Sequence, residues 1–81
     1  MSNFKGEGVH KQKVDGIPLE IQYGYNEING ADNKIRKYPK IVKIMLDSEQ
    51  RWDLTYLTDH YIQEQIENNI FKELNRDIYP N

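Results

Sequence analysis

For serine–histidine chemistry the chain offers His10, His60, Ser2 and Ser48 and nothing more. Acyl transfer of that kind needs a nucleophile, a base to take its proton and a third group to orient the base. Ser48, His60 and Asp59 supply the three types, but no motif surrounds them. Asp59-His60 reads more simply as the solvated start of a helix, and His10 as a ring packed at a sheet edge. A zinc site needs three or four ligands with nitrogen or sulfur donors; two imidazoles and no cysteine fall short of that. Asp32-Asn33 lacks the acidic spacing and bidentate Glu of a calcium loop, and no glycine-rich phosphate loop is present. The expectation is a protein that is not an enzyme, holds no metal or cofactor, and acts by binding.

Charge is the next resource. Lys34-Ile35-Arg36-Lys37-Tyr38-Pro39-Lys40, followed by Lys43, sets five cations within ten residues. With a tyrosine that can stack, this suits phosphates and an exposed base. Lysines along a strand edge also discourage edge pairing, and the whole chain is formally −2, unlike the basic surface of a typical nucleic-acid module. The halves differ in sign: residues 1–46 carry eight Lys/Arg against five Asp/Glu, and residues 47–81 carry three against eight. The acidic half could face a basic host site as a DNA mimic does, although Lys72 and Arg76 interrupt it and an ordinary solvated helix face explains it better. Exposed tyrosines are favoured interface anchors, and Tyr38, Tyr61 and Tyr79 fall outside the clearly inward positions. The candidate partner-binding residues are therefore Lys34, Arg36, Lys37, Tyr38, Lys40, Lys43, Tyr61 and Tyr79.

The elements that must position these residues start from Ile17-Pro18-Leu19-Glu20-Ile21-Gln22-Tyr23-Gly24-Tyr25. Apolar or aromatic residues hold every odd position there, the pattern of a strand with one buried face. Asp15-Gly16 before it favours a two-residue type I′ turn, which pairs a strand over 9–14 with Val14 opposite Ile17, Gln12 opposite Leu19 and His10 opposite Ile21. That register also matches Lys11 with Glu20. Pro18 then turns its missing N–H away from the first strand, and a strand on the other side should pair only beyond it. Residues 26–37 read as a loop, with a hairpin turning at Asn29-Gly30 as the variant. Residues 38–47 give a third strand with Val42, Ile44 and Leu46 on one side. Residues 51–56 give a short fourth, with Trp52, Leu54 and Tyr56 inward beside Tyr23 and Tyr25. Asp59 caps an amphipathic helix whose Ile62, Ile66, Ile70 and Leu74 recur every four residues.

The expected architecture is a single α+β domain over 1–81. An antiparallel sheet of three to four strands over 9–56, with its loop at 26–37, is covered on one face by a single C-terminal helix over 57–78, and residues 1–8 form a flexible arm. The longest apolar run in the chain, Ile44-Met45-Leu46, is far too short to span a bilayer, and no signal-peptide pattern opens the sequence. No membrane partner is expected, and the absence of cysteine fits a cytoplasm.

Val14-x-Gly16, Leu19-x-Ile21-x-Tyr23-x-Tyr25, Tyr38-Pro39-x-x-Val42-x-Ile44, Leu57-Thr58-Asp59 and the Ile62, Ile66-Glu67, Ile70, Leu74 series follow one another across residues 14–74. This order resembles a pattern in small phage-encoded accessory proteins, where a hairpin and a Tyr-Pro strand precede an acidic amphipathic helix. The motifs are structural, so no catalytic residue is carried over. The resemblance implies an accessory protein in the host cytoplasm that binds and modulates a host protein, in takeover or against defence. Two other readings stay open: a nucleic-acid-binding module using residues 34–43, and a structural or homodimeric protein associating through an edge strand.

Overall fold

The computed structural model describes residues 3–79. Asp15 and Gly16 turn the chain at φ 52° and 80°, the left-handed pair that a type I′ hairpin requires. They join β1 (Gly6–Val14) to β2 (Ile17–Asn29) in the register read from the sequence, with His10 opposite Ile21 and Val14 opposite Ile17. β3 (Ile35–Leu46) pairs antiparallel with the far side of β2, and that ladder starts at Leu19 opposite Leu46, just past Pro18. A single 3₁₀ turn (Thr55–Leu57) leads to α1 (His60–Leu74), which packs mainly over β3. The result is an α+β fold: a three-stranded antiparallel sheet in the order β1-β2-β3, with one C-terminal helix.

Between the two layers lie Leu19 and Ile21 from β2, Ile44 from β3, and Ile66 and Ile70 from α1; Val14, Tyr23, Ile41, Leu54, Ile62 and Leu74 pack around them. The four-residue recurrence in α1 is thus its contact stripe. Asp59 holds the start of the helix, its carboxylate accepting from the Ile62 N–H at 2.9 Å. On the same face, Tyr23 and Tyr25 stand opposite Gly8 and Gly6, and their rings fill the volume in which a Cβ on either glycine would lie.

Several sequence expectations are corrected. The arm expected over 1–8 is strand from Gly6 onward. Lys5 N–H donates to Tyr25 O at 2.9 Å, and the Phe4 ring fills the space that Gly24 leaves for lack of a side chain; residues 1–2 lie outside the described residues. The loop expected over 26–37 shrinks to residues 30–34, closed by Gly30 N–H to Lys34 O at 2.9 Å with Asn33 at φ 64°. The ladder continues to Asn29 opposite Ile35, where β2 is solvent-exposed and apolar periodicity gives no signal. The fourth strand reduces to one bridge, Asp53 with Met45, before the 3₁₀ turn. There Asp53 and Thr58 side chains take backbone partners, Thr55 N–H at 2.9 Å and Leu54 O at 2.8 Å, and such bonds compete with a strand ladder. Trp52 and Tyr56 consequently stay in solvent rather than in the core.

Val42 does not share a face with Ile44. A bulge opposite Gln22/Tyr23 makes Val42 the extra residue, so Ile44 and Ile41 both turn toward the helix while Val42 is 54 % exposed. The helix occupies His60–Leu74 rather than 57–78, because Asp59 caps one end and the Asn75 side chain leaves the helix for β3 at the other. Lys11 and Glu20 stand opposite each other without pairing. The Glu20 carboxylate accepts from Arg51, and Lys11 Nζ lies 3.8 Å from Asp47.

Candidate functional site

The basic segment is partly consumed within the fold. Arg36 donates to both carboxylate oxygens of Asp32, at 3.1 and 2.9 Å, and through Nε to the Tyr79 hydroxyl at 2.7 Å. Its guanidinium stands 5.5 Å from the Tyr79 ring centre. Phe71 then bridges the two tyrosines, with its ring 5.4 Å from Tyr38 and 5.9 Å from Tyr79. Lys37 points its ammonium at the Tyr25 ring, 5.5 Å away. Arg36, Tyr38 and Tyr79 therefore come together as a clamp joining the 30–34 turn, α1 and the residues after it. Lys34 and Lys40 remain exposed, Lys43 is half-buried, and Tyr61 is exposed on the first turn of α1. Lys43 is also a minor influence on Asp53, whose carboxyl is held below its usual range chiefly by hydrogen bonds from Thr55.

The same clamp sets an acid-sensitive contact. Hydrogen bonds from Arg36, aided by the Lys34 N–H, draw the Asp32 carboxyl down to about 2. A depressed carboxyl contributes stability above its unfolded value of 3.8, and that contribution fades as pH falls through about 2. NMR titration of the Asp32 side chain should place its midpoint near that lower value, and Arg36→Gln should return it to the ordinary carboxylate range. An unshifted midpoint in the unmodified chain would show that the fork does not hold in solution.

A second polar seam ties β1 to the helix. His10 is half-buried, with Nδ1 3.2 Å from Glu73 Oε2 and Nε2 2.9 Å from Gln12 Oε1; Asn69 Nδ2 donates to the same Gln12 oxygen at 3.2 Å. The imidazole is thus engaged between strand and helix. Ser48 Oγ bonds its own turn at Gln50 O, 3.4 Å away, and the Asp59 carboxylate is taken by the helix cap, so the serine and the acid weighed beside His60 each have a separate local duty.

The apolar feature lies elsewhere. Val14, Asp15 and Ile17 at the hairpin tip face Leu54, Leu57, Thr58 and Ile62 across a groove of about 300 Å³ floored by Leu19. Its far wall is fixed by hydrogen bonds: Gln63 Nε2 donates to Thr55 O at 3.2 Å and to Thr58 O at 3.0 Å. This wall carries Leu57 at 81 % exposure, opposite Ile17 at 49 %. Tyr56, 95 % exposed, precedes Leu57, and exposed Tyr61 precedes Ile62. Of these, only Tyr61 stands out from the sequence as a contact residue. One sequence signal marks Leu57: it is an apolar residue just before the cap that falls outside the Ile62–Leu74 stripe.

What the fold defines is a class of scaffold, a β-meander backed by one helix. Compared with known proteins, the chain matches no family model, no curated protein and no solved structure. Among the described residues no helix is long and apolar enough to cross a membrane.

Proposed function

We propose that the chain is a non-enzymatic binding protein that seats an apolar side chain of a partner protein in the groove between the Asp15-Gly16 hairpin and the start of α1. The observation that carries this reading is Leu57, 81 % exposed at the mouth of an apolar groove. Covering one such leucine is worth roughly 1.5–3 kcal/mol. Tyr56 and Tyr61 beside it are residue types that anchor interfaces at low entropic cost. Asp15 at the groove and Asp59 at the helix cap favour a partner segment with basic residues around its apolar anchor. In the phage setting that the sequence resembles, this partner is a host protein whose own contacts are blocked when the groove is filled. The nucleic-acid reading is weaker, since Arg36 and Lys37 are turned to Asp32, Tyr79 and Tyr25.

The test is capture from bacterial lysate, with and without nuclease treatment, using the unmodified chain and Leu57→Asp and Ile17→Asp variants of unchanged circular dichroism. One protein retained stoichiometrically by the unmodified chain, and weakened at least tenfold by both variants, is the expected result. Equal retention by the variants would remove the groove from the argument. Recovery of nucleic acid alone, lost on nuclease treatment or on Lys34→Ala with Lys40→Ala, would overturn the reading in favour of the basic segment.

A further inference from the structure

The two edges of the sheet are finished differently. In β3 from Lys37 onward, the residues that turn their backbone groups away from β2 are Lys37, Pro39, Ile41, Ile44 and Leu46, and each outward N–H is accounted for. The Asn75 side chain accepts from Lys37 N–H and donates to Lys37 O, both at 2.8 Å. Pro39 has no N–H. Glu67 Oε1 takes Ile41 N–H at 3.3 Å, Thr55 Oγ1 takes Ile44 N–H at 2.9 Å, and Trp52 O takes Leu46 N–H at 2.8 Å. This edge cannot accept another strand.

The β1 edge is the opposite case. With Val14 and Ile17 paired at the turn, even-numbered residues of β1 bond β2 and odd-numbered ones face outward. Among the described residues none bonds the outward backbone groups of Glu7, Val9, Lys11 or Lys13. An uncovered edge of this length is a template for another strand, and the side chains along it specify which one. We propose that β1 pairs antiparallel with β1 of a second copy, on a twofold axis through Val9, to give a closed dimer with a six-stranded sheet.

Charge complementarity favours that occupant, and the Val9 pair sets the register, since an axis at His10 would also join Glu7 to a cation, Lys13, but without an apolar pair. About Val9, Glu7 of each copy lies directly opposite Lys11 of the other, two cross-strand ion pairs flanking an apolar pair. Moving the axis by one residue sets Val9 against Lys11 or against Glu7, and the apolar pair is lost. Val9 is 58 % exposed and shares with Val42, across Gln22, a shallow depression of about 430 Å³ on the face opposite the helix. The twofold brings two such depressions side by side, with the valines at their junction. Because the β3 edge is capped, each copy offers one pairing edge, so association stops at two and does not run on into a fibre. The groove of the preceding proposal lies beyond the 7–11 ladder, and the dimer does not depend on it.

Sedimentation equilibrium from micromolar concentration to about 1 mM tests this. The expected result is a mass that rises from one chain to two and no further. Val9→Pro removes an N–H that bonds nothing within the hairpin, and should remain single-chain with its circular dichroism unchanged. Glu7→Lys should weaken association at least tenfold, as should Lys11→Glu. Mixing these two variants should restore it, since both 7–11 pairs of the heterodimer again join one cation to one carboxylate. A single-chain mass throughout for the unmodified protein would overturn the proposal. So would a dimer indifferent to Val9→Pro, or a mixture of the charge variants that forms no heterodimer.

Discussion

Truncation of Ile21 to alanine is expected to destabilise the protein by about 2–5 kcal/mol. Ile21 is fully buried on the central strand, beneath the Ile66–Ile70 stripe of the helix and beside Ile44. The lost methyl groups leave a cavity between two elements that the strand ladder and the helix cap hold at a set distance, so little collapse can follow. A domain of this length has roughly 4–12 kcal/mol of total stability, and the variant should lose a large share of it. Urea denaturation followed by circular dichroism reads the effect directly. Val42→Ala is the control: on a strand with Val42 inward it would cost nearly as much, whereas an exposed bulge residue should cost under about 1 kcal/mol. Equal losses at the two positions would show that the bulge is not formed.

Asn75→Leu should cost a comparable amount, about 2–5 kcal/mol, for a different reason. Asn75 is 2 % exposed, and its amide satisfies Lys37 N–H and Lys37 O while also donating to Phe71 O at 2.7 Å. Leucine fills the space and supplies none of these bonds. Each buried backbone group left without a partner costs roughly 1–3 kcal/mol. Asn75→Asp sharpens the test. Its ionised carboxylate can still accept from Lys37 N–H, but it meets the carbonyls of Lys37 and Phe71 with negative charge. That variant should be the less stable of the two at neutral pH and should recover part of the loss on acidification, when the protonated acid donates again. If both substitutions shift the urea midpoint by no more than a surface change does, Asn75 does not join helix and edge strand.

These two positions mark what the sequence makes legible. Ile21 could be named in advance because turn chemistry at Asp15-Gly16 and a period of two are local signals that leave one register open, and the four-residue recurrence in α1 does the same for Ile66 and Ile70. Asn75 could not. Its partners are the backbone of a residue far away in the chain, and a lone Asn after a helix looks like any other helix end. Glu67 and Thr55 escape notice for the same reason. The bulge is hidden because Ile41 and Val42 are both apolar, so parity can be counted from either side of it with equal satisfaction. In the candidate site, the cations of 34–43 are visible as charges, but the Asp32 fork and the Tyr79 ring that engage Arg36 are tertiary facts. The groove at Leu57 is set by hydrogen bonds from Gln63, which carry no periodic signature.

The order of strands in the sheet is also their order along the chain, with two residues turning β1 into β2 and five turning β2 into β3. The helix then folds back mainly onto β3, the strand it follows. The largest contacts are therefore between elements that follow one another in the sheet or fold back onto it, and the two strand connections are short, so little chain entropy must be surrendered before the sheet's native contacts compensate for it. The kinetic consequence is a chain that can assemble stepwise, the Asp15-Gly16 hairpin first and the helix last. Its apolar sheet face is bare only for the brief interval between the third strand and the docking of Ile66 and Ile70.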